Sequence, residues 1–266
     1  MQCRCCKQLF FWCICPDLIT TNRFKMMGVT MLALLLIISC LTSLLAALIG
    51  FGGGMLLIAI LPLFLPAIAI VPVHGLTQLA SNSSRALFSP QDVLWPLVPG
   101  FLAGSVLGVA VFGWLWTQLP VQLLPLFIGF YILLSLWHPG FKALMSRYEN
   151  FIWLGFVQSG LGLFVGATGP ITTSLLLKQN ADQNKVIVTA ALMMSISHLL
   201  KVLVFGWIGF AYLEYLWPLV ALITGAVAGS YLGAKIRPQK PDPRYIHWIK
   251  LGLSALALQM MIAVFI

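Results

Sequence analysis

The chain alternates long apolar runs with short polar connections. By apolar length the runs fall at about 28–50, 52–70, 72–89, 93–116, 119–137, 151–177, 186–210, 213–235 and 245–266. A helix needs roughly 20 apolar residues to cross a hydrocarbon core about 30 Å thick. Helices pair every backbone N–H and C=O within the segment, which lipid demands. The joins are compact and carry Pro, Gly or charge, as at Ser89-Pro90-Gln91-Asp92, 138–150, 178–185 and 235–244. The pattern predicts an all-α polytopic membrane protein.

Two interruptions stand out inside the apolar runs, Gly50-Phe51-Gly52-Gly53-Gly54 and Gly166-Ala167-Thr168-Gly169-Pro170. Such sequences break a helix, and unwound backbone at membrane depth survives only under cover of protein or beside a water-filled cavity. A half-helix that starts at the break points its N–H groups and positive dipole end at the gap, which suits an anion. Pro170 fits the first turn of such a half-helix, where its missing N–H costs nothing. Thr168, Thr172, Thr173 and Ser174 add hydroxyl donors. Glycines at 104, 108, 225, 229 and 233 read instead as close-packing surfaces between helices.

Polar residues within the runs keep helical spacing. His74, Gln78, Ser81, Asn82 and Arg85 form one stripe, and Ser195, Ser197, His198 and Lys201 form another. A cation inside a span costs on the order of 3 kcal/mol, so such residues usually line a path or cavity. Arg85 and Lys201 are therefore candidates to attract an anion, with His198 a candidate carrier of a coupling proton because imidazole titrates near neutral pH. Two plainer roles stay open for Arg85, snorkelling to the headgroups or pairing with Asp92. His74, near the start of its run, reads as a helix-terminus or interface residue. Asp92 and Glu214, each just ahead of a Trp-Pro pair, read as structural caps.

The chain also repeats itself. Asp92-Val93-Leu94-Trp95-Pro96-Leu97-Val98 recurs as Glu214-Tyr215-Leu216-Trp217-Pro218-Leu219-Val220, and Ala103-Gly104-Ser105 recurs as Ala228-Gly229-Ser230. Upstream, a constant offset of 116 pairs Ser43 with Ser159, Gly50 with Gly166, Gly53 with Gly169, Ser81 with Ser197, Asn82 with His198 and Arg85 with Lys201. This divides the chain into repeat 1 at 28–137, a linker at 138–150 and repeat 2 at 151–266, each of about four helical segments.

Charge sets the relative orientation. No basic residue follows the segment ending near Trp116, whereas its twin is followed by Lys235, Arg237, Lys240 and Arg244. Basic loops stay cytoplasmic, so equivalent ends face opposite sides and the repeats are inverted, a common build of secondary transporters. If 151–178 enters and returns by one face, Lys142, Arg147, Lys178, Lys185 and the 235–244 cluster all lie inside, and the carboxyl terminus lies outside.

Composition narrows the class. Of 266 residues 61% are hydrophobic and 8% charged, far below the roughly 25% charged of an average soluble domain. That excludes a soluble enzyme, a nucleic-acid binder and a disordered regulator, and the formal charge of +9 reads as loop lysines and arginines. No Gly-x-x-x-x-Gly-Lys-Ser/Thr loop is present to drive an ATP-dependent pump, and no cofactor or metal site is expected. Five of six cysteines crowd residues 1–27 (Cys3, Cys5, Cys6, Cys13, Cys15). This tail is open to zinc binding, palmitoylation or a start further along at Met26, Met27 or Met31, and the mechanism does not need it.

The Gly50-x-Gly-Gly-Gly54 cluster before an apolar run, the glycine-rich 160–170 stretch and the two-repeat layout together resemble the TauE/SafE family of sulfite-exporter-like permeases. The second break departs from the fuller glycine cluster of the first. The resemblance covers 28–266 and implies movement of a small sulfur-containing or organic anion across the cell membrane. The expected partners are that anion, the lipid bilayer and a coupling proton or ion. Combined with the breaks and stripes, it yields a candidate substrate site of Gly52, Gly53, Gly54, Gln78, Asn82, Arg85, Thr168, Gly169, Pro170, Ser197, His198 and Lys201. An anion channel, or less readily a membrane-embedded enzyme built on Ser195, Ser197 and His198, are the alternatives.

Overall fold

A computed structural model describes residues 28–265 apart from 51, 119–120, 142–149, 180–181 and 237–242. The cysteine-rich tail, most of the 138–150 linker, and Lys142, Arg147, Arg237 and Lys240 lie outside the described residues. Among those described the chain is helical without strands, in the order α1 (Val29–Ile49), α2 (Gly53–Ile60), α3 (Ala67–Leu87), α4 (Val98–Trp116), α5 (Leu124–Trp137), α6 (Phe151–Val165), α7 (Gly169–Gln179), α8 (Gln183–Trp207), α9 (Leu216–Ile236) and α10 (Pro243–Ile262). Each half supplies five of these ten described helices, because its glycine break divides the leading segment in two. Four helical stretches, Val29–Ile49, Trp95–Trp116, Gln183–Trp207 and Tyr212–Ile236, are long and apolar enough to cross a membrane. The chain is an all-α polytopic membrane protein.

The breaks form because glycine tolerates left-handed backbone. Gly50 (φ 88°) and Gly52 (φ 89°) end α1 and start α2, and Gly166 (φ 75°) ends α6. The two endings match, with Gly50 N–H donating to the Ala46 carbonyl at 2.9 Å and Gly166 N–H to the Gly162 carbonyl at 3.1 Å. Elsewhere, Asn150 and Asp182 cap α6 and α8 through their side chains. Asp92 and Glu214 occupy short 3₁₀ turns ahead of α4 and α9 instead, and α4 begins without a side-chain cap. Trp95-Pro96 forms a 3₁₀ turn of its own and leaves Asp92 six residues ahead of Val98, whereas Trp217-Pro218 lies in the first turn of α9 and leaves Glu214 two residues ahead of Leu216.

Side-chain contacts fix the helix directions. Ser81 Oγ donates to Ser43 Oγ at 3.0 Å and Arg85 reaches the Ala46 carbonyl, so α1 and α3 run in the same sense. Ser159 and Ser197 bond at 2.7 Å and Lys201 reaches the Gly166 carbonyl, so α6 and α8 do likewise. The pairs oppose each other: His74 in α3 packs against His198 in α8, while Leu94, beyond the end of α3, donates its amide to Thr189 Oγ1 in the first half of α8. Each half's first helix lies along the other half's fourth. A Cβ added at Gly104 would stand 1.8 Å from the Ile152 carbonyl oxygen, and one at Gly229 would stand 2.0 Å from that of Cys40. These small residues let α4 meet α6, and α9 meet α1, backbone to backbone.

Solvation is inverted relative to a soluble protein. Trp207, Leu213, Trp114 and Trp248 face outward, while His74, Gln78, Asn82, Gln158 and Lys201 are each at most 2% exposed. Apolar side chains meet lipid at no cost, so the polar ones collect where other helices satisfy them.

Candidate substrate site

The polar stripe of α3 and that of α8 face each other at the centre of the molecule, flanked by the two breaks. They form two clusters. The first surrounds Lys201, whose Nζ donates to the Gly166 carbonyl at 2.7 Å and lies 3.3 Å from His198 Nδ1. The His198 ring meets that of His74 edge-on with centroids 5.8 Å apart, and His74 Nε2 bonds the Gly54 carbonyl at 2.9 Å. Gln78 belongs to the same wall, its Oε1 3.1 Å from where a Cβ on Gly54 would stand.

The second cluster is built on Arg85, 4% exposed. Its guanidinium donates to the Ala46 carbonyl at 3.0 Å, to the Ser81 carbonyl at 3.3 Å and to Asn82 Oδ1. Asn82 in turn donates to the Gln78 carbonyl at 2.8 Å. Arg85 therefore does not snorkel; it holds the carbonyl end of α1, where the helix dipole favours a cation. Lys201 does the equivalent at the end of α6. The two cations hold different carbonyls, Arg85 that of Ala46 and Lys201 that of Gly166.

Hydroxyls extend the polar layer in two further sets. Ser81 lies 3.0 Å from Ser230 as well as from Ser43, and Ser197 accepts from Gln158 Nε2 at 3.5 Å as well as meeting Ser159. Thr168 Oγ1 donates to the Gln158 carbonyl at 3.2 Å, and Thr172 Oγ1 to Gln158 Oε1. Each break touches the opposite half. Thr173 Oγ1 donates to the Gly50 carbonyl at 3.4 Å, and a Cβ on Gly166 would collide with Ile58 and approach His74 Nδ1 to 3.5 Å.

The glycines of the site divide by role. Gly52 precedes α2 with no side-chain cap, leaving the N–H groups of the first turn to the gap. Gly53 is a packing residue, because a Cβ there would stand 1.9 Å from the Thr42 carbonyl oxygen. Gly169 meets only the tip of Met194, at 2.9 Å and 3.0 Å. The backbone of Pro170 lies in the first turn of α7.

Two contributors stand outside the candidate substrate set. His74 is fully buried at the centre of the contact between the halves, not at a helix terminus or interface, because α3 begins at Ala67 and carries it a further two turns inward. Gln158 links α6, α7 and α8. A signal for it existed, since the offset of 116 sets it opposite the buried Thr42.

No curated protein and no solved structure matches the chain. A family model described as sulfite exporter TauE/SafE matches residues 35–261, a span holding both breaks, both stripes and every residue of the two clusters. The chain therefore belongs to the TauE/SafE sulfite exporter family, integral membrane proteins that transport and do not catalyse.

Proposed function

We propose that this chain is a secondary permease that moves a small sulfur-containing anion, sulfite or an organosulfonate, by alternating access between two inverted repeats, 28–137 and 151–266. The observation that carries the reading is an imbalance of buried charge. Lys201 is 1% exposed between the halves, and none of the six Asp and Glu lies within α1–α10. The partners of Lys201 are a carbonyl and an imidazole. A buried cation is stable when paired with an anion, and a negatively charged substrate supplies that pairing here. The binding set is the backbone at Gly52–Gly54 and Thr168–Pro170, with Gln78, Asn82, Arg85, Ser197, His198 and Lys201. One cation attends each end of the path, so rocking one repeat against the other exposes each in turn.

Helix direction supports the inversion. The ends of α3, α5, α7 and α9 lie on one side, which Lys178, Lys185 and Lys235 share, while the opposite connections 117–123 and 208–215 contain no Lys or Arg. The lysine-bearing side is assigned to the cytoplasm. The test is flux in proteoliposomes over sulfite, methanesulfonate, sulfate and acetate. Saturable flux of sulfite or methanesulfonate is expected, falling at least tenfold in Lys201→Met with the protein still folded. Flux confined to acetate, or unchanged flux in the variant, overturns the reading.

A further inference from the structure

Among the described residues three buried side-chain atoms lack a hydrogen-bond partner, Ser105 Oγ, Tyr131 Oη and His74 Nδ1, and of these only His74 belongs to the facing stripes of α3 and α8. It is 0% exposed. Its Nε2 faces the Gly54 carbonyl at 2.9 Å. A carbonyl only accepts, so Nε2 carries the hydrogen, and this fixes the neutral tautomer with a lone pair on Nδ1. That Nδ1 is buried without a hydrogen-bond partner. It is aimed at the second break, 3.5 Å from where a Cβ on Gly166 would stand, and Gly166 is the residue whose carbonyl holds Lys201 Nζ at 2.7 Å. An orphaned acceptor in a sealed, low-dielectric layer costs about 1–3 kcal/mol.

We propose, building on the anion-permease reading, that His74 Nδ1 takes up one proton for each anion bound beside Lys201 and gives it back to water when the anion leaves. The balance is simple. An N–H bond forms at Nδ1 as the anion enters, the new imidazolium donates to an anion oxygen, and that N–H bond breaks on the other side. No bond of the anion changes. Proton and monoanion then cross together as a neutral pair, which removes the cost of carrying net charge through the bilayer.

The titratable and charged side chains facing His74 are few. α8 brings His198 and Lys201, and α3 itself brings Arg85 further along. The sequences of α1, α2 and α6 contain no Asp, Glu, Lys, Arg or His, α9 brings Tyr231 and Lys235, and the 212–215 turn packed on α3 brings Tyr212, Glu214 and Tyr215. His198 is the less suitable carrier, because its Nδ1 already lies 3.3 Å from Lys201 Nζ and a proton there would set two cations in contact.

The test uses the full chain in proteoliposomes with methanesulfonate, which stays ionised, alongside sulfite, which can bring its own proton. At zero membrane potential, a pH gradient of one unit is expected to drive about tenfold accumulation of methanesulfonate on the alkaline side, the limit for one proton per anion. His74→Gln retains an amide to meet the Gly54 carbonyl but cannot be protonated. It is expected to lose the pH-driven accumulation and to bind methanesulfonate without taking up a proton. A second measurement needs no variant: binding of methanesulfonate to the purified wild-type protein in weak buffer should take up close to one proton per chain. Methanesulfonate flux indifferent to pH, pH-driven accumulation only of sulfite, accumulation surviving in His74→Gln, or wild-type binding without proton uptake each overturns the proposal and leaves the anion permease standing. No flux of either anion removes the permease reading, and this one with it.

Discussion

At the scale of single residues, glycines that look alike in sequence do unlike things. Gly53 and Gly169 sit at equivalent places by the offset of 116, but a Cβ on Gly53 meets backbone at 1.9 Å, while one on Gly169 meets the end of a flexible methionine at 2.9 Å. Backbone cannot step aside cheaply, whereas a methionine tip can. Gly53→Ala is therefore expected to destabilise the protein by about 1–3 kcal/mol, and Gly169→Ala to be tolerated. Thermal unfolding of the two variants in detergent checks this, and equal loss in both would contradict it. The same contrast corrects a simple view of the break as open space awaiting substrate. Gly53 is spent on bringing α2 against α1, and the gap is bordered by Gly52 and Gly54.

Among elements, the pairing of α4 with α6 and of α1 with α9 rests on small residues in register. Gly104 and Gly108 face the Ile152 and Phe156 carbonyls, and Gly225 and Gly229 face those of Leu36 and Cys40. Association of helices in lipid lacks a hydrophobic drive and depends on such close packing. Gly108→Val and Gly229→Val should each force one helix pair apart. The expected outcome is a marked fall in folded yield by size-exclusion profile, with Gly252→Val, where nothing lies within 4 Å of an added Cβ, behaving as wild type. Yields that do not separate these positions would mean the close approach is not needed for assembly. These glycines were legible as packing surfaces from their spacing alone. Which helix each one meets was not, because spacing describes one helix and a contact requires two.

For the whole molecule, opposed helix directions put the ends of α5, α7 and α9 on one side. Cysteines introduced singly at Lys178, Lys235 and Gln239, in a chain whose own cysteines are replaced by serine, are expected to react with an impermeant reagent only from the cytoplasmic side. Cysteines at Thr117 and Gly209 are expected to react only from the opposite side. Labelling of both sets from one side would defeat the inverted arrangement and the alternating-access scheme with it.

The sequence by itself determined the solvent and the seams. Run length and the scarcity of charge demanded lipid, the glycine clusters located both breaks to within a residue or two, and the 116-residue offset aligned Ser43 with Ser159 and Ser81 with Ser197, which make equivalent hydrogen bonds. These features are local or self-referential: periodicity, composition and resemblance of the chain to itself. Only the tertiary structure decided which polar groups meet. It set Arg85 and Lys201 each on the carbonyl end of its own half's first helix, and brought His74 against His198 across the two halves. Facing partners arise from the packing of helices distant in the chain, where a rotation of one helix by a single residue, about 100°, would turn the whole stripe toward lipid.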